Sequence, residues 1–360
     1  PIPVGKAFGV VRIRLDRAEF EVATYRSEES YSDGRRPDLD GIEFHGSLAA
    51  DVQRRDFTMN GLALRLLDDP PVVVDLVGGT EDIRAARIRT IGDAGSRFDE
   101  DALRPLRAVR FAAVLGFSID PETAAAMKDR AAGLRRVSGE RIQQELSKTC
   151  GAGDVGVATD ILLDAGFLPH LFPPVIPVAP DGERLRGLLC HLPKSPGLPL
   201  YLAAMATAWA PGGRPDEDVA ERCDAMASHL KLSRAEATAA VETVRMAASL
   251  AAGVESLPRR ADLYRSEHFG RAMALARAVR RFGGGDVADL TAMETERAAL
   301  SDRRLNPPTL VTGADLKALG IPQGPRLGEL LRAIRDVQVS GEVETREEAL
   351  AWLRGEISEG

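Results

Sequence analysis

The stretch EDALRPLRAVRFA, residues 100–112, combines carboxylates, arginines and apolar residues at helical spacing. At 3.6 residues per turn, Glu100, Arg104, Arg107 and Phe111 share one face, with Asp101 beside Arg104. The opposite face is apolar and predicts contact with a core; its members are Ala102, Leu106, Val109 and Ala113. We therefore predict one amphipathic helix over residues 100–115.

The charged face of this predicted helix allows two interpretations. Glu100 and Arg104 have the favourable i,i+4 order of a solvated ion pair, which is common on protein surfaces. Alternatively, a carboxylate accepts from the exocyclic amine of cytosine or adenine while an arginine donates to the ring nitrogen. Uracil and guanine present a carbonyl at the amine position, so the same pair would reject them. The residues alone leave both interpretations open.

A second segment with candidate ligand-binding residues is DVQRRDFTMNGLAL, residues 51–64. Arg54 and Arg55 carry planar donors that suit phosphate oxygens. Asp56 and Asn60 are four residues apart, so a helix would bring them together, where they could address ribose hydroxyls. An Arg-Arg-Asp triplet alone is more often surface charge, but its continuation into an aromatic residue, Thr and Asn is more specific.

The segment EFEVATYR, residues 19–26, has the alternation of a β-strand. Glu19 and Glu21 lie on one face of this strand, and Phe20 and Val22 lie on the other. A carboxylate on a central strand is costly unless it binds a cation or a base, whereas on an edge strand it is simply solvated. Both interpretations of Glu21 remain open.

Composition limits the class of protein. The chain has 360 residues, a net charge of −7, 28% charged residues and 5% aromatic residues, which favours a helix-rich globular protein of two to four domains. The negative charge argues against general coating of nucleic acid but allows a local basic groove. Three cysteines without metal-ligand spacing predict structural thiols and a reducing, cytoplasmic compartment. No apolar run is long enough to suggest a membrane partner.

Four segments in order carry a resemblance to a known family: RRDFTMN (54–60), DLVGGTEDI (75–83), RFDEDALRPLRAVRFA (97–112) and RRVSGERIQQEL (135–146). Together they resemble the class II CCA-adding tRNA nucleotidyltransferases and the related bacterial poly(A) polymerases. A further match lies at VTGADLKALGIPQGPRLGELL, residues 311–331. The resemblance implies template-independent addition of CMP and AMP to tRNA 3′ ends from CTP and ATP, with Mg²⁺ and with pyrophosphate release. A poly(A) polymerase, an A-adding tRNA nucleotidyltransferase and a non-catalytic RNA- or nucleotide-binding relative are the alternatives.

The resemblance also implies a fold and a domain order. We expect an α+β protein with a truncated nucleotidyltransferase α/β head, followed by an all-α neck, body and tail. The expected boundaries are 1–93 for the head, 94–154 for the neck with its base-recognition helices, 155–250 for the helical body and 251–360 for a tRNA-binding body and tail. In this family RRVSGERIQQEL is the part of the neck that braces the base-reading helix.

Site residues are carried over from the family by position. Base reading is expected from Glu100, Asp101, Arg104 and the adjacent Arg107. Ribose and triphosphate contacts are expected from Arg54, Arg55, Asp56 and Asn60. Glu21 resembles the third carboxylate near the metal ions, and is the catalytic and metal-binding candidate. SYSDGRRPD, residues 30–38, resembles the flexible loop used when the pocket switches to ATP, and it contributes Asp33, Arg35 and Arg36.

One departure from the family pattern affects the expected activity. The family's Gly-Gly turn and Asp-x-Asp metal pair have no counterpart upstream of Val4. Asp38-Leu39-Asp40 lies inside the loop, and we interpret it as loop charge because a metal pair needs a rigid strand. We therefore expect that the chain is incomplete at its N-terminus, binds nucleotide weakly and is weakly active or inactive. A degenerate, non-catalytic relative is the alternative.

Overall fold

The computed structural model describes residues 10–16, 18–28, 42–44, 47–172, 181–210, 212–254 and 256–359. Within these ranges the strands are β1 (Val10–Leu15), β2 (Ala18–Ala23), β3 (Arg26–Glu28), β4 (Ile42–Phe44), β5 (Ala63–Arg65), β6 (Val72–Val74), β7 (Arg87–Ile88) and β8 (Ser118–Ile119). All but β8 precede residue 94. This distribution confirms the expected α+β class, with the strands concentrated in the head.

The helices described up to residue 172 are α1 (Leu48–Gln53), α2 (Gly79–Arg84), α3 (Ala94–Glu100), α4 (Arg104–Leu115), α5 (Pro121–Asp129), α6 (Gly139–Ala152), α7 (Val155–Asp164) and α8 (Leu168–Leu171). Those after residue 180 are α9 (Gly182–Leu189), α10 (Leu198–Ala208), α11 (Glu217–His229), α12 (Arg234–Ala252), α13 (Leu257–Arg265), α14 (Phe269–Phe282), α15 (Ala288–Ala299), α16 (Asp302–Leu305), α17 (Gly313–Ala318), α18 (Pro325–Ser340) and α19 (Arg346–Glu359). Short 3₁₀ helices cover Thr58–Asn60 and Ala131–Arg136.

The described strands form two-stranded units. β1 pairs with β2, β3 with β4, and β5 with β6, all antiparallel, whereas β7 and β8 are parallel. Several apolar side chains of these hairpins are exposed, including Leu15 at 62%, Phe20 at 51% and Leu67, in the β5–β6 connection, at 99%. The head hairpins therefore bury little apolar surface among the described residues.

The DLVGGT segment positions the start of α2 against the residues that follow α1. The Asp75 carboxylate accepts from the backbone N–H groups of Val77, Gly78, Gly79 and Thr80. Burial alone would raise the pKa of Asp75, but these hydrogen bonds hold that pKa well below its ordinary value. At Gly79 an added Cβ would lie 2.2 Å from the Thr58 carbonyl oxygen, so only glycine permits this approach.

The helix predicted over 100–115 is in fact two helices, α3 and α4. Asp101 is extended at φ −143° and ψ 104°, and its Oδ1 accepts from the Leu103 backbone N–H at 3.0 Å. This local hydrogen bond competes with helical bonding. Pro105 has no N–H to donate to the carbonyl four residues earlier, so it fits only in the first turn of α4. The predicted apolar face is confirmed, since all four of its members are buried.

The chain beyond residue 94 packs around two apolar clusters. The first runs from Phe57 to Leu290 and includes buried side chains of α4, α6, α10 and α12. The second is confined to the C-terminal segment, from Val311 to Leu353. No described helix has both the length and the apolar character to cross a bilayer. The domain boundaries at 93, 154 and 250 stay a prediction.

Candidate functional site

Two neighbouring arginines after α1 are oriented by one carboxylate. Asp51 is 3% exposed and accepts from Arg54 Nη2 at 2.6 Å and from Arg55 Nη2 at 3.0 Å. Burial alone would raise the pKa of Asp51, but the two guanidinium groups lower it overall, so the carboxylate stays ionised. The Arg55 side chain remains 41% exposed. Asp51 therefore orients the exposed guanidinium group of Arg55.

Asp56 lies at the centre of the next part of the site. Its Oδ1 accepts from the Phe57 backbone N–H and from Asn60 Nδ2, both at 2.9 Å, and its Oδ2 accepts from Arg107 Nε at 2.7 Å. The predicted proximity of Asp56 and Asn60 is confirmed, although a 3₁₀ turn rather than an α-helix produces it. Burial opposes ionisation, but Arg107, Asn60 and the N–H of Phe57 lower the pKa of Asp56.

Glu100 and Arg104 form an ion pair that connects two sequence motifs. Glu100 Oε2 accepts from Arg104 Nη1 at 2.5 Å and from Arg97 Nη1 at 2.7 Å. Arg104 is 7% exposed, and its Nη2 donates to the Arg54 carbonyl oxygen at 2.9 Å. The base-reading candidate and the phosphate-binding candidate are thus joined by one hydrogen bond across 50 residues of sequence.

Asp101 and Arg104 have different ion-pair partners. The Asp101 Oδ2 accepts from Arg141 Nη2 at 2.7 Å, whereas Arg104 pairs with Glu100. Asp101 lies outside the two helices, in the extended break between α3 and α4. Arg141 comes from α6, within the RRVSGERIQQEL segment.

The same segment supplies a buried carboxylate beneath α4. Glu145 is 3% exposed and accepts from Arg110 Nε at 2.6 Å, with Arg107 Nη1 at 3.9 Å. The Arg110 guanidinium lies 4.1 Å from the centre of the Phe111 ring. Residues 135–146 are expected to brace the base-reading helix. Two ion pairs from α6 are available for this, Arg141 with Asp101 and Glu145 with Arg110, at the two ends of the 101–110 segment.

Glu21 pairs with Arg12 rather than with a residue of this cluster. Glu21 is on β2 opposite Arg12, which donates to its carboxylate at 3.2 Å, and the Glu21 side chain is 66% exposed. Asp33, Arg35 and Arg36 lie outside the described residues, as does Asp38-Leu39-Asp40.

A metal site is not assembled by the described residues. No group of three or more His, Cys, Asp or Glu side chains in the described part of the chain could hold a metal ion. Glu21 points to solvent and has an arginine as its nearest described partner. These residues do not fit a two-metal centre, so we derive no step through a metal.

A cleft of about 760 Å³ opens next to the cluster but not within it. Its walls include Thr58 from the 3₁₀ turn, Arg89 and Asp93 from the segment after β7, and Arg130 at the end of α5. None of the predicted nucleotide-binding residues lines this cleft. The predicted residues instead contact one another through ion pairs, among them Glu100 with Arg104 and Asp56 with Arg107.

Sequence reasoning missed four residues that shape the site: Asp51, Arg97, Arg141 and Glu145. Asp51 and Glu145 gave a detectable signal, because each is a carboxylate three to five residues from an arginine or lysine on a predicted helix and each faces the apolar side. Arg97 lies three residues before Glu100. Arg141 gave none, since its partner lies 40 residues away.

Two family models match parts of the chain. Residues 2–89 match the Poly A polymerase head domain, and residues 116–177 match the probable RNA and SrmB-binding site of polymerase A. The first match covers the strand-rich part, and the second covers α5 to α8.

Curated relatives and solved crystal structures also resemble this chain. The CCA-adding enzyme of Levilactobacillus brevis is 34% identical over 351 residues, which is 97% of this chain and 82% of the relative. The CCA-adding enzyme of Geobacillus stearothermophilus is 32% identical, with 98% and 83% covered. The crystal structure of the Bacillus stearothermophilus CCA-adding enzyme in complex with CTP superposes with a TM-score of 0.74 at 27% identity, over 99% of this chain and 83% of that one.

Proposed function

Because the chain belongs to the CCA-adding enzyme family, we propose that it adds C, C and A to the 3′ end of tRNA from CTP and ATP, with release of pyrophosphate. The observation that carries the proposal is the contact between Arg104 and the carbonyl oxygen of Arg54. It joins the motif expected to read the base to the motif expected to hold the triphosphate. One bound nucleotide would therefore contact both.

We assign base reading to Asp101 and Arg104, with Glu100 orienting Arg104. Three of the five N–H bonds of Arg104 donate to Arg97 O, Glu100 and Arg54 O, which leaves two for a ring nitrogen. The Asp101 carboxylate accepts the exocyclic amine that cytosine and adenine share. Uracil and guanine would set a carbonyl oxygen against this carboxylate, and two acceptors that face each other with no donor between them disfavour binding.

We assign the triphosphate to Arg55 and Arg54, which Asp51 holds in place. Phosphate contacts carry no information about the base, so these arginines should support all four nucleotides equally. Asn60, together with Asp56, is assigned to the ribose. Asp56 already accepts from three partners, so a ribose hydroxyl would share or replace one of them. Arg107 keeps Asp56 ionised and in place.

The family's chemistry uses divalent metal ions, and we propose Mg²⁺ as the ion. Glu21 is our candidate ligand, because it resembles the third carboxylate near the metal ions in this family. The identity of the added nucleotides, rather than their rate of addition, is the useful readout.

We propose that tRNA is the partner and that the chain works as a head (1–93), a neck (94–154), a body (155–250) and a body and tail (251–360). Support comes from the RNA-binding family model over residues 116–177 and from the separate apolar cluster after residue 310. Asp33, Arg35 and Arg36 are assigned to the loop that accompanies ATP binding. Cys150, Cys190 and Cys223 are free thiols, which supports a cytoplasmic location.

The test is incorporation of nucleotides into tRNA that ends before CCA, with CTP and ATP supplied together and the products sequenced. We expect C, C and A in that order. Long A tails would replace the proposal with a poly(A) polymerase, and addition of A alone would replace it with an A-adding enzyme.

Asp101→Ala and Arg55→Ala separate the two halves of the site. We expect Asp101→Ala to reduce the preference for CTP over UTP by about tenfold or more, the size expected for losing a hydrogen bond to a charged group. Arg55→Ala should weaken binding of CTP, ATP, UTP and GTP alike. If both variants retain the wild-type preference and affinity, the assignment of these residues is wrong.

A further inference from the structure

The orientation of the Asp101 carboxylate is fixed by two donors from different parts of the chain. Oδ1 accepts from the Leu103 backbone N–H at 3.0 Å, and Oδ2 accepts from Arg141 Nη2 at 2.7 Å. Asp101 lies in the extended break between two helices, where its backbone carbonyl accepts from the Arg104 N–H at 3.0 Å. Without Arg141, one oxygen would lose its described donor and the carboxylate would be free to rotate.

Arg141 is carried by a helix whose start is itself fixed. It is the third residue of α6, and at Gly139 an added Cβ would lie 2.2 Å from the carbonyl oxygen of His229 at the end of α11. Further along α6, Ile142 and Leu146 are buried in the main apolar cluster, and Glu145 pairs with Arg110. The backbone that presents Arg141 is therefore anchored on both sides.

The exposure of the pair suits a role beside a ligand. The side chains of Arg141 and Asp101 are 31% and 23% exposed, so neither is sealed in the core. Each carboxylate oxygen has two acceptor sites, and Oδ2 has one described donor. It can therefore accept from a base amine while it remains bonded to Arg141.

We propose that Arg141 is a positioning residue for base choice, which holds the Asp101 carboxylate as an acceptor facing the amine of cytosine or adenine. This inference rests on the proposed function. Arg141 acts through Asp101 rather than by binding the triphosphate. Its loss therefore changes the ratio of affinities between nucleotides more than it changes their common affinity.

The test compares CTP and UTP binding to the full chain by calorimetry, for wild type, Arg141→Gln, Arg141→Lys and the control Arg136→Ala. Arg136 is exposed, lies five residues away and has no ion pair among the described residues. We expect Arg141→Gln to reduce the CTP-to-UTP preference about tenfold, Arg141→Lys to restore part of it, and Arg136→Ala to match wild type. Thermal unfolding of each variant provides a check on folding.

Three results would overturn the inference. An unchanged ratio in Arg141→Gln would show that Asp101 needs no positioning by Arg141. An equal loss of affinity for both nucleotides would show a general structural or phosphate-binding role. Wild-type protein that binds CTP and UTP equally would remove base reading itself, and with it the proposed function, which the first two results would leave intact.

Discussion

The junction between residues 51–56 and helices α4 to α6 differs from the head hairpins in the kind of side chain that it buries. At the junction, charged side chains are buried, with Asp51 and Glu145 each 3% exposed and Arg104 7% exposed. In the hairpins, apolar side chains are exposed, with Leu66 at 72% and Leu67 at 99%. Burial of ions is costly unless every charge is paired, so the junction is constrained by its contacts, while the hairpins depend mainly on their backbone ladders.

This difference shows where sequence changes should matter. In the junction, one substitution leaves its buried partner charge without compensation. In the hairpins, one substitution alters a side chain that already contacts water. In the head hairpins the apolar residues are therefore a poor guide to local stability, because many of them are exposed.

The largest expected effect is in Glu145→Ala. Removing this carboxylate leaves Arg110 without its buried counter-charge, whereas Arg107 keeps Asp56, so we expect the free energy of unfolding to fall by about 3 kcal/mol. Denaturant unfolding monitored by circular dichroism measures it. The control is Gln144→Ala, an exposed neighbour on α6, which should stay within about 0.5 kcal/mol of wild type. Equal effects in the two variants would show that the charge cluster is not a stabilising centre.

An intermediate effect is expected at Asp56, and it depends on pH. The pKa of Asp56 is lowered in the folded protein, so its contribution to stability is present above its ordinary value of 3.8 and is lost as pH falls through the lowered value. We expect Asp56→Asn to cost about 2 kcal/mol near neutral pH, as for a broken hydrogen bond to a charged group. The cost should shrink in acid.

Denaturant unfolding of wild type and Asp56→Asn from pH 7 to pH 2.5 tests this dependence. Asp51 and Asp82 also have lowered pKa values, so part of the acid dependence should remain in the variant. A difference between the two proteins that stays constant down to pH 2.5 would mean that Asp56 is not stabilised as a carboxylate.

The smallest effect is expected in the hairpin region, from Leu67→Ser. Because Leu67 is almost fully exposed, its replacement removes little buried surface, and the free energy of unfolding should change by less than about 0.5 kcal/mol. Leu106→Ala is the matched control in α4, where the leucine is 1% exposed, and it should cost about 3 kcal/mol. A large fall in the free energy of unfolding of Leu67→Ser would mean that the hairpins bury more apolar surface than the described residues show.

Much of the site was predictable because its motifs are local. RRDFTMN indicated both the arginine pair and the contact between Asp56 and Asn60, and the apolar spacing of 102–113 indicated the buried face of α4. The break at Asp101 was also present in the sequence, since Pro105 belongs in a first turn. The helical spacing of the surrounding charges concealed it.

The sequence by itself determined the family, the α+β class and the set of charged residues available for recognition, because these depend on residue type and short-range spacing. The ion pair of Glu100 and Arg104 follows from their i,i+4 spacing, whereas only the tertiary structure decided which charges pair across the sequence. Asp101 pairs with Arg141 from a helix 40 residues away, and Asp56 pairs with Arg107 from α4. The reason is physical: ion pairing in a protein is governed by distance and burial, and both are set by how separate helices pack together.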